Sequence, residues 1–241
     1  MKFVNIVIPM AGRGSRFSDA GYVDPKPLIN VKNKAMIELV AENLRPKKYD
    51  CRFIFICQEE ILDNLKFQKF ISEFSSEYEI IPINYVTGGA AETVLLAEHL
   101  INNNDQLMIA NCDQYIDINI DDYLDFAFQS ETCIMTMKAN HPKWSYIKYK
   151  DDIIIDVVEK KVVSDDATVG IYNFSSGNLF LKGAHMMINK NKKVNGEYYV
   201  APVYKELIDK EIDVRTYDIT GKMHGLGTPE DLSLFLTKYL D

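Results

Sequence analysis

The chain opens on an apolar, β-branched run, Phe3 to Pro9, in which neither alternating face is polar, the pattern of a strand buried on both sides. Met36 to Leu44 then places apolar residues at helical intervals, and Arg45-Pro46 ends that helix. Phe53 to Cys57 is a second buried strand. Ile61 to Phe74 repeats apolar residues at three- and four-residue intervals and predicts an amphipathic helix, and Ile80 to Val86 supplies a third strand. The loop Thr87 to Ala91 opens a helix to about Ile101, which Asn102 to Asp105 breaks. Leu107 to Ala110 follows as a short central strand ending at Asn111-Cys112-Asp113. Strand and helix alternate throughout, so this half predicts a parallel sheet with right-handed crossovers.

The second half changes character. Thr132 to Ala139, Ser145 to Lys150 and Ile153 to Val158 are β-rich and separated by polar turns, which suits added antiparallel strands. Phe180 to Ile188 and Tyr199 to Ile208 read as helices, Asp213 to Tyr217 as a strand, and Pro229 to Leu240 as a closing helix with Thr228 at its N-cap. No repeat, low-complexity tract or linker interrupts this order. Residues 1–241 therefore read as one α/β domain with a Rossmann-like, mostly parallel central sheet flanked by helices, extended by antiparallel strands.

Composition narrows the function. With 241 residues, 47% hydrophobic and 26% charged, the chain has enough apolar surface for a sizeable core. Its 27 basic and 35 acidic residues give a net charge of −8, which argues against a broad nucleic-acid surface. An anionic ligand must find a local basic patch instead. The four cysteines, Cys51, Cys57, Cys112 and Cys133, form no C-x-x-C pair and no zinc spacing, and read as reduced core thiols. There is no N-terminal signal pattern and no run near ~18 apolar residues, so a cytoplasmic protein without a membrane partner is expected.

The basic patch follows the first strand. Ala11, Gly12, Arg13, Gly14 and Ser15 form a small, glycine-bearing loop whose backbone N–H groups can make an anion nest. Arg13 and Arg16 bracket it, and Lys26 lies between Pro25 and Pro27, whose fixed φ angles stiffen its backbone. Three cations and a nest suggest phosphate. The string lacks the Gly-Lys-Ser/Thr of a P-loop, and Phe17 stands where the dinucleotide fingerprint needs its third glycine.

MAGRGSRF followed by PKPLINV resembles the G-x-G-[ST]-R-[FL]…P-K signature of sugar-phosphate nucleotidyltransferases, the nucleotide-sugar pyrophosphorylases. The resemblance continues in order through GGAAET (Gly88 to Thr93), NCDQ (Asn111 to Gln114), VEK (Val158 to Lys160), Gly170 in VGIYNF, and GTPEDL. GSRF…AGY…PKPLI with a terminal GLGTPEDL is most similar to the compact set from bacterial capsule and lipopolysaccharide clusters. The resemblance implies a nucleoside triphosphate and a phosphorylated small-molecule acceptor as partners, Mg²⁺ as cofactor, and pyrophosphate as leaving group. It also divides the domain into a nucleotide-binding half, about 1–130, and an acceptor-binding half, about 131–241. A homo-oligomer stays open.

By the same resemblance, Arg16 contacts the triphosphate and stabilises the transition state, Lys26 lies near the phosphates, and the backbone of Ala11 to Ser15 holds nucleotide. Gly88 and Gly89, on glycines alone a plain strand-to-helix turn, border the nucleobase. Glu92 is either a base-side contact or a favourable first-turn carboxylate. Asp113, at the end of the central strand where open α/β sheets bind ligands, is the magnesium aspartate. Glu159 and Lys160 match the acceptor pair, Glu for a sugar hydroxyl and Lys for phosphate, with Lys161 beside them leaving the register open. Gly170 and Glu197 resemble acceptor-pocket positions, although Glu197 equally suits the start of a helix. Asp117, Asp121 and Asp122 read as turn and cap residues. Trp144 and His141 are rim or packing groups, and His99, His185 and His224 are structural.

Two rival functions share these features: a GT-A-type glycosyltransferase, which should carry Asp-x-Asp where this chain has Asn111-Cys112-Asp113, and a nucleotide-binding module without turnover. Cytidylyl transfer to a non-sugar phosphate is a close variant of the first reading. One departure stands out. Many family members carry a second magnesium aspartate two residues before the C-terminal Gly-Thr, and here that place is Gly225. Asp113 is thus expected to be the only carboxylate of the pair, with weak metal binding in the absence of nucleotide. Glu230 and Asp231 read as helix first-turn acids.

Overall fold

The computed structural model describes residues 2–238, and its first strand, β1 (Phe3–Pro9), is buried on both faces as the sequence predicts. The first half continues through α1 (Ser15–Asp19), the short pair β2 (Asn30–Val31) and β3 (Lys34–Ala35), α2 (Met36–Leu44), β4 (Asp50–Gln58), α3 (Leu65–Glu73), β5 (Glu77–Ile83), α4 (Ala90–Leu95), α5 (Glu98–Ile101) and β6 (Gln106–Ala110). The second half adds β7 (Gln114–Ile116), α6 (Ile120–Ala127), β8 (Thr132–Lys138), β9 (Ser145–Lys150), β10 (Ile153–Glu159) and β11 (Asp166–Phe174). It ends with α7 (Gly177–Asn189), α8 (Val203–Ile208), β12 (Val214–Asp218), β13 (Met223–Gly225) and α9 (Pro229–Lys238).

β1 lies between β4 and β6, parallel to both, and β5 extends the parallel set beyond β4. Alternate residues of β1 serve opposite cores. Ile6 and Ile8 join Phe53 and Phe55 of β4 in a layer covered by α2, α3, α6 and α9. Val7 joins Ile54 and Ile56 in the layer under α4, α7 and α8. Fully burying a side chain such as Phe53 or Phe55 contributes about 1.5–3 kcal/mol, so a polar residue at any of these positions would be costly.

Beyond β6 the sheet turns antiparallel. β11 pairs with β6 through Ile171↔Ala110 to Phe174↔Leu107, with β8 on its other edge, and with the β9–β10 hairpin through Ala167↔Tyr146. β12 lies parallel to β8 at the outer edge. The sequence pattern left β11 undelineated because Gly170 interrupts its β-branched run. That glycine sits within the register shift between Thr168 and Tyr172, where it bends the strand.

Other differences are local. The helix expected over Ile61 to Phe74 becomes a 3₁₀ turn, Glu59–Ile61, followed by α3, because the Asn64 side chain accepts the Lys66 N–H at 2.9 Å and caps a new start. The strand expected over Ile80 to Val86 lies at Glu77–Ile83, and the helix expected to Ile101 divides at Leu96–Ala97. α8 begins after Pro202 instead of at Tyr199, because the Tyr198 backbone is bonded to the loop at Gly88. Asp121 lies inside α6, where its buried carboxylate accepts the Lys47 and Lys48 N–H groups. The end of the closing helix at Leu240 lies outside the described residues. All four cysteines are free, and burial raises Cys57 and Cys133 to about 12. No helix among the described residues is long and apolar enough to cross a membrane.

Glu206 of α8 generates a stability prediction. Its carboxylate is fully buried and takes the Lys190 and Lys192 ammoniums at 2.5 Å each. Burial alone would raise its pKa, but the two lysines outweigh this and hold it below the usual carboxylate range. The stability it contributes is therefore present above the ordinary glutamate pKa of about 4.3 and lost as pH falls through its lower folded value. Urea unfolding across pH should show Glu206→Gln less stable by about 1–3 kcal/mol near neutrality, with the gap to wild type closing in acid. A gap that stays constant with pH would refute the ionised assignment.

Candidate active site

The cleft lies at the carboxyl ends of β1 and β6, where the sheet changes from parallel to antiparallel, and encloses about 490 Å³. After Pro9 the chain leaves β1 into the loop that precedes α1. Gly14 caps α1 in a left-handed conformation, and the buried Phe17 ring anchors that short helix edge-on against Tyr22. Gly14 packs so closely on Lys26 that a Cβ there would come 2.8 Å from the lysine Cβ. Gly12, Gly14, Ser15, Arg16 and Lys26 all line the cleft.

Lys26 donates to Asp113 Oδ2 at 2.5 Å. Burial on its own would lower the lysine pKa, yet the adjacent Asp113, with Cys112 behind it, raises it overall and the ammonium stays charged. Asp113 is held at the turn between β6 and β7 by the Leu226 N–H, which donates to its carbonyl at 2.7 Å. Arg16 is exposed on the cleft wall and acts electrostatically on both Lys26 and Tyr199, and so faces both halves.

The second half of the chain supplies further wall residues. Glu159, at the end of β10, is half-buried and accepts from the Ser145 hydroxyl; burial raises its pKa, opposed by that hydrogen bond and by Lys160. The Lys160 ammonium reaches the Tyr199 hydroxyl and lies 4.3 Å from the centre of its ring. Glu197 lines the same wall and precedes α8 instead of opening it, so its second reading, as the start of a helix, is removed. Gly170 (φ 79°) brings the bend of β11 against the Asn111 and Gln114 side chains.

Five of the predicted residues stand outside the cleft wall. Ala11 is buried in the core and its carbonyl accepts from Gln58 Nε2 at 2.6 Å. Arg13 is exposed beside the loop. Gly88 and Gly89 are set back, and Ala90 forms the wall at that point. Glu92 Oε2 accepts the Gly88 N–H at 2.7 Å, so its carboxylate closes the loop locally. Gly89 (φ 134°) is required there because a Cβ would lie 2.5 Å from the Tyr198 backbone, which joins this loop to the second half of the chain.

Sequence reasoning missed several lining residues. Gln114 is 3% exposed, lines the cleft and has an Nε2 without a partner, so a buried donor is available to a ligand. Its place in NCDQ was visible; its direction was not. Tyr199, Thr168, Tyr172 and Lys143 also line the wall, and Trp144 is a rim aromatic beneath the Lys143 ammonium. Asp231, expected only to complement a helix dipole, lines the cleft, while Glu230 stands exposed in the first turn of α9. His224 packs with Tyr115 and Phe235, and His185 with Glu98.

A family model described as nucleotidyl transferase matches residues 6–223. Among solved structures, a nucleoside-diphosphate-sugar pyrophosphorylase from Vibrio cholerae RC9 is similar, with TM-score 0.83 and 24% identity over 96% of this chain and 99% of that one. A Bacillus anthracis protein named for glucose-1-phosphate thymidylyltransferase activity, with sucrose bound, gives TM-score 0.80 and 20% identity over 99% and 96%. The inositol-1-phosphate CTP transferase of T. maritima gives 0.72 and 13% over 94% and 90%. At these identities the structural likeness carries the fold. No curated protein matches the chain by sequence.

The bend of β11 is directly testable. In Gly170→Ala a Cβ would meet Asn111 Nδ2 at 2.2 Å and Gln114 Oε1 at 2.7 Å in a left-handed conformation, which by itself costs roughly 1–2 kcal/mol. Denaturant unfolding should show at least that loss. An alanine variant with unchanged stability would show that the bend does not depend on this glycine.

Proposed function

The chain belongs to the nucleotidyl transferase family, and from that premise we propose that it joins a nucleoside triphosphate to a phosphorylated small molecule, a sugar phosphate or related polyol phosphate, and releases pyrophosphate. The observation that carries this reading is one cleft lined by three cations from separate parts of the chain, Arg16 and Lys26 after β1 and Lys160 after β10, with Asp113 held by Lys26. Two anionic substrates can thereby meet end to end. Cytidylyl transfer to a non-sugar phosphate uses the same arrangement. The glycosyltransferase alternative lacks its Asp-x-Asp pair at Asn111-Cys112-Asp113.

In the proposed reaction an oxygen of the acceptor phosphate forms a bond to the α-phosphorus, and the bond from that phosphorus to the pyrophosphate bridging oxygen breaks, its electron pair leaving with pyrophosphate. A phosphate monoester, with a second pKa of about 6, is already a dianion near neutral pH, so no side chain need remove a proton. The work of the chain is positioning and charge. Arg16 meets charge growing on the α-phosphoryl oxygens, Lys26 screens the triphosphate, and Lys160 holds the acceptor phosphate. Glu159, kept in place by Ser145, accepts from an acceptor hydroxyl, and Gln114 Nε2 donates to an acceptor oxygen.

Asp113 fits a magnesium ion by its chemistry and surroundings. It is a hard oxygen donor at a strand end, a cationic Nζ already rests on it, and Gly227 passes where a Cβ would crowd Oδ2 at 2.7 Å. Bound there, the metal would add positive charge to the phosphates. The resemblance to the compact capsule and lipopolysaccharide set supports a cytoplasmic supply of activated sugar for surface polysaccharide.

The test is pyrophosphate release by the purified protein with Mg²⁺, each nucleoside triphosphate in turn and a panel of acceptor phosphates. A diphosphate-linked product is expected; free nucleoside diphosphate from a nucleotide sugar would support glycosyl transfer, and binding without product a regulatory module. Arg16→Ala should lower kcat by ~10²–10³, or about 3–4 kcal/mol, without unfolding the protein. A change confined to KM would leave Arg16 a ground-state contact only.

A further inference from the structure

Two carboxylates flank one short backbone segment in the cleft. The chain from Gly225 to Gly227 is pinned by Leu226, whose side chain is fully buried and whose N–H is bonded to the Asp113 carbonyl. A Cβ built on Gly227 would come 2.7 Å from Asp113 Oδ2, and one built on Gly225 would come 3.3 Å from Asp231 Cγ and 3.4 Å from Asp231 Oδ2. The glycine α-carbons, two residues apart, are separated by at most about 7 Å. Asp113 and Asp231 therefore approach the same stretch of the cleft, one from the end of β6 and the other from the first turn of α9.

We propose that Asp231 is the second carboxylate presented to the divalent cation, reaching from α9 into the space that a side chain at position 225 would otherwise enter. This rests on the nucleotidyl-transfer reading of the cleft. Magnesium sites of this kind commonly use one or two carboxylates together with substrate phosphates and water, so Asp231 completes a set that Asp113 begins. An aspartate at 225 would crowd Asp231 and add a like charge beside it. Gly225 and Asp231 thus form a matched pair: the backbone yields the room and the helix supplies the acid.

The helix does not need Asp231 in the cleft for its own stability. Its N-terminus is capped by Thr228 Oγ1, which accepts the Asp231 N–H at 3.1 Å, and the exposed Glu230 already places an acid in the first turn. The Asp231 side chain is instead engaged by an ammonium, Lys143 Nζ at 3.3 Å, as Asp113 is engaged by Lys26. The Lys143 contact is long and partly exposed, and the same ammonium lies 4.8 Å from the Trp144 ring centre. A metal ion can therefore take the Asp231 carboxylate while Lys143 keeps an aromatic partner.

Electron paramagnetic resonance titration with Mn²⁺ tests this, with Mn²⁺ alone and with the α,β-methylene analogues of UTP, CTP and dTTP. Asp231→Asn, an isosteric change, should weaken Mn²⁺ binding in the presence of the best analogue by roughly 10–100-fold. Asp231→Ala should weaken it at least as much, and Gly225→Asp combined with Asp231→Ala should restore most of it, because the carboxylate returns from the other side of the same space once the residue 231 side chain no longer fills it. Lys143→Met should leave Mn²⁺ binding equal or tighter. Unchanged Mn²⁺ affinity in Asp231→Asn, or a Gly225→Asp/Asp231→Ala variant that binds Mn²⁺ no better than Asp231→Ala, overturns the proposal. Pyrophosphate release by wild type is scored separately: its absence with every triphosphate and acceptor defeats the transfer reading, whereas Mn²⁺ affinity decides Asp231.

Discussion

A strand that is apolar on both faces has one stable home, the middle of a sheet covered on both sides, and β1 occupies it between β4 and β6. Much else follows from that constraint. Because β1 is parallel to both neighbours, their carboxyl ends share one edge, and the loops leaving them must meet there. The basic loop after β1 and Asp113 after β6 are far apart in sequence yet make a 2.5 Å contact through Lys26. Register fixes this meeting. A one-residue slip of β1 would exchange Ile6 and Ile8 for Val7 between the two cores and displace the loop along the edge.

The second constraint is the change of direction at β11. A continuous parallel sheet would have put another helix over the edge where the cleft opens. An antiparallel β11 beside β6 instead brings its bend at Gly170 against Asn111 and Gln114, and its amino-terminal portion diverges to carry the β9–β10 hairpin. That hairpin delivers Ser145 and Glu159 to the far wall. The antiparallel part of the sheet is thus hung on one kinked strand, and the carbonyl of Gly170, accepting the Asn111 N–H at 3.0 Å, ties the kink to the turn that holds Asp113.

Legibility in the sequence followed the same division. β1, α2, β8 and β9 could be read within a residue because period, length and stop signals agreed in each. β11, the strand that organises the antiparallel part of the sheet, was hidden by its own Gly170, since a residue chosen for a bend erases the propensity that marks a strand. The positions of Arg16, Lys26, Asp113 and Glu159 around one cleft followed from short motifs. Those of Gln114, Lys143 and Asp231 did not, because their directions depend on pairings between distant segments: β13 against β7 through Gly225↔Gln114, and α9 against the loop bearing Lys143. For Glu92 the local hydrogen bond to Gly88 outweighed the motif.

The charges in the cleft carry the synthesis one step further. Arg16, Lys26, Lys143 and Lys160 face Asp113, Glu159, Glu197 and Asp231, four against four, so the lining is formally neutral although the chain carries −8. A neutral lining gives a polyanion little long-range attraction; recognition must come from exchange of partners at short range. Lys143 and Asp231 remain partly exposed, and a pair of that kind is worth only about 0–1 kcal/mol and is inexpensive to open. Lys26 and Asp113 are largely buried, so their pair opens only where another charge takes each partner's place. A phosphate that takes the ammonium leaves a carboxylate facing the same space, where a divalent cation is the natural replacement. Were the cleft to take triphosphate and metal as proposed, each would favour the other, because the pairs built between β1, β6 and α9 would open for both at once.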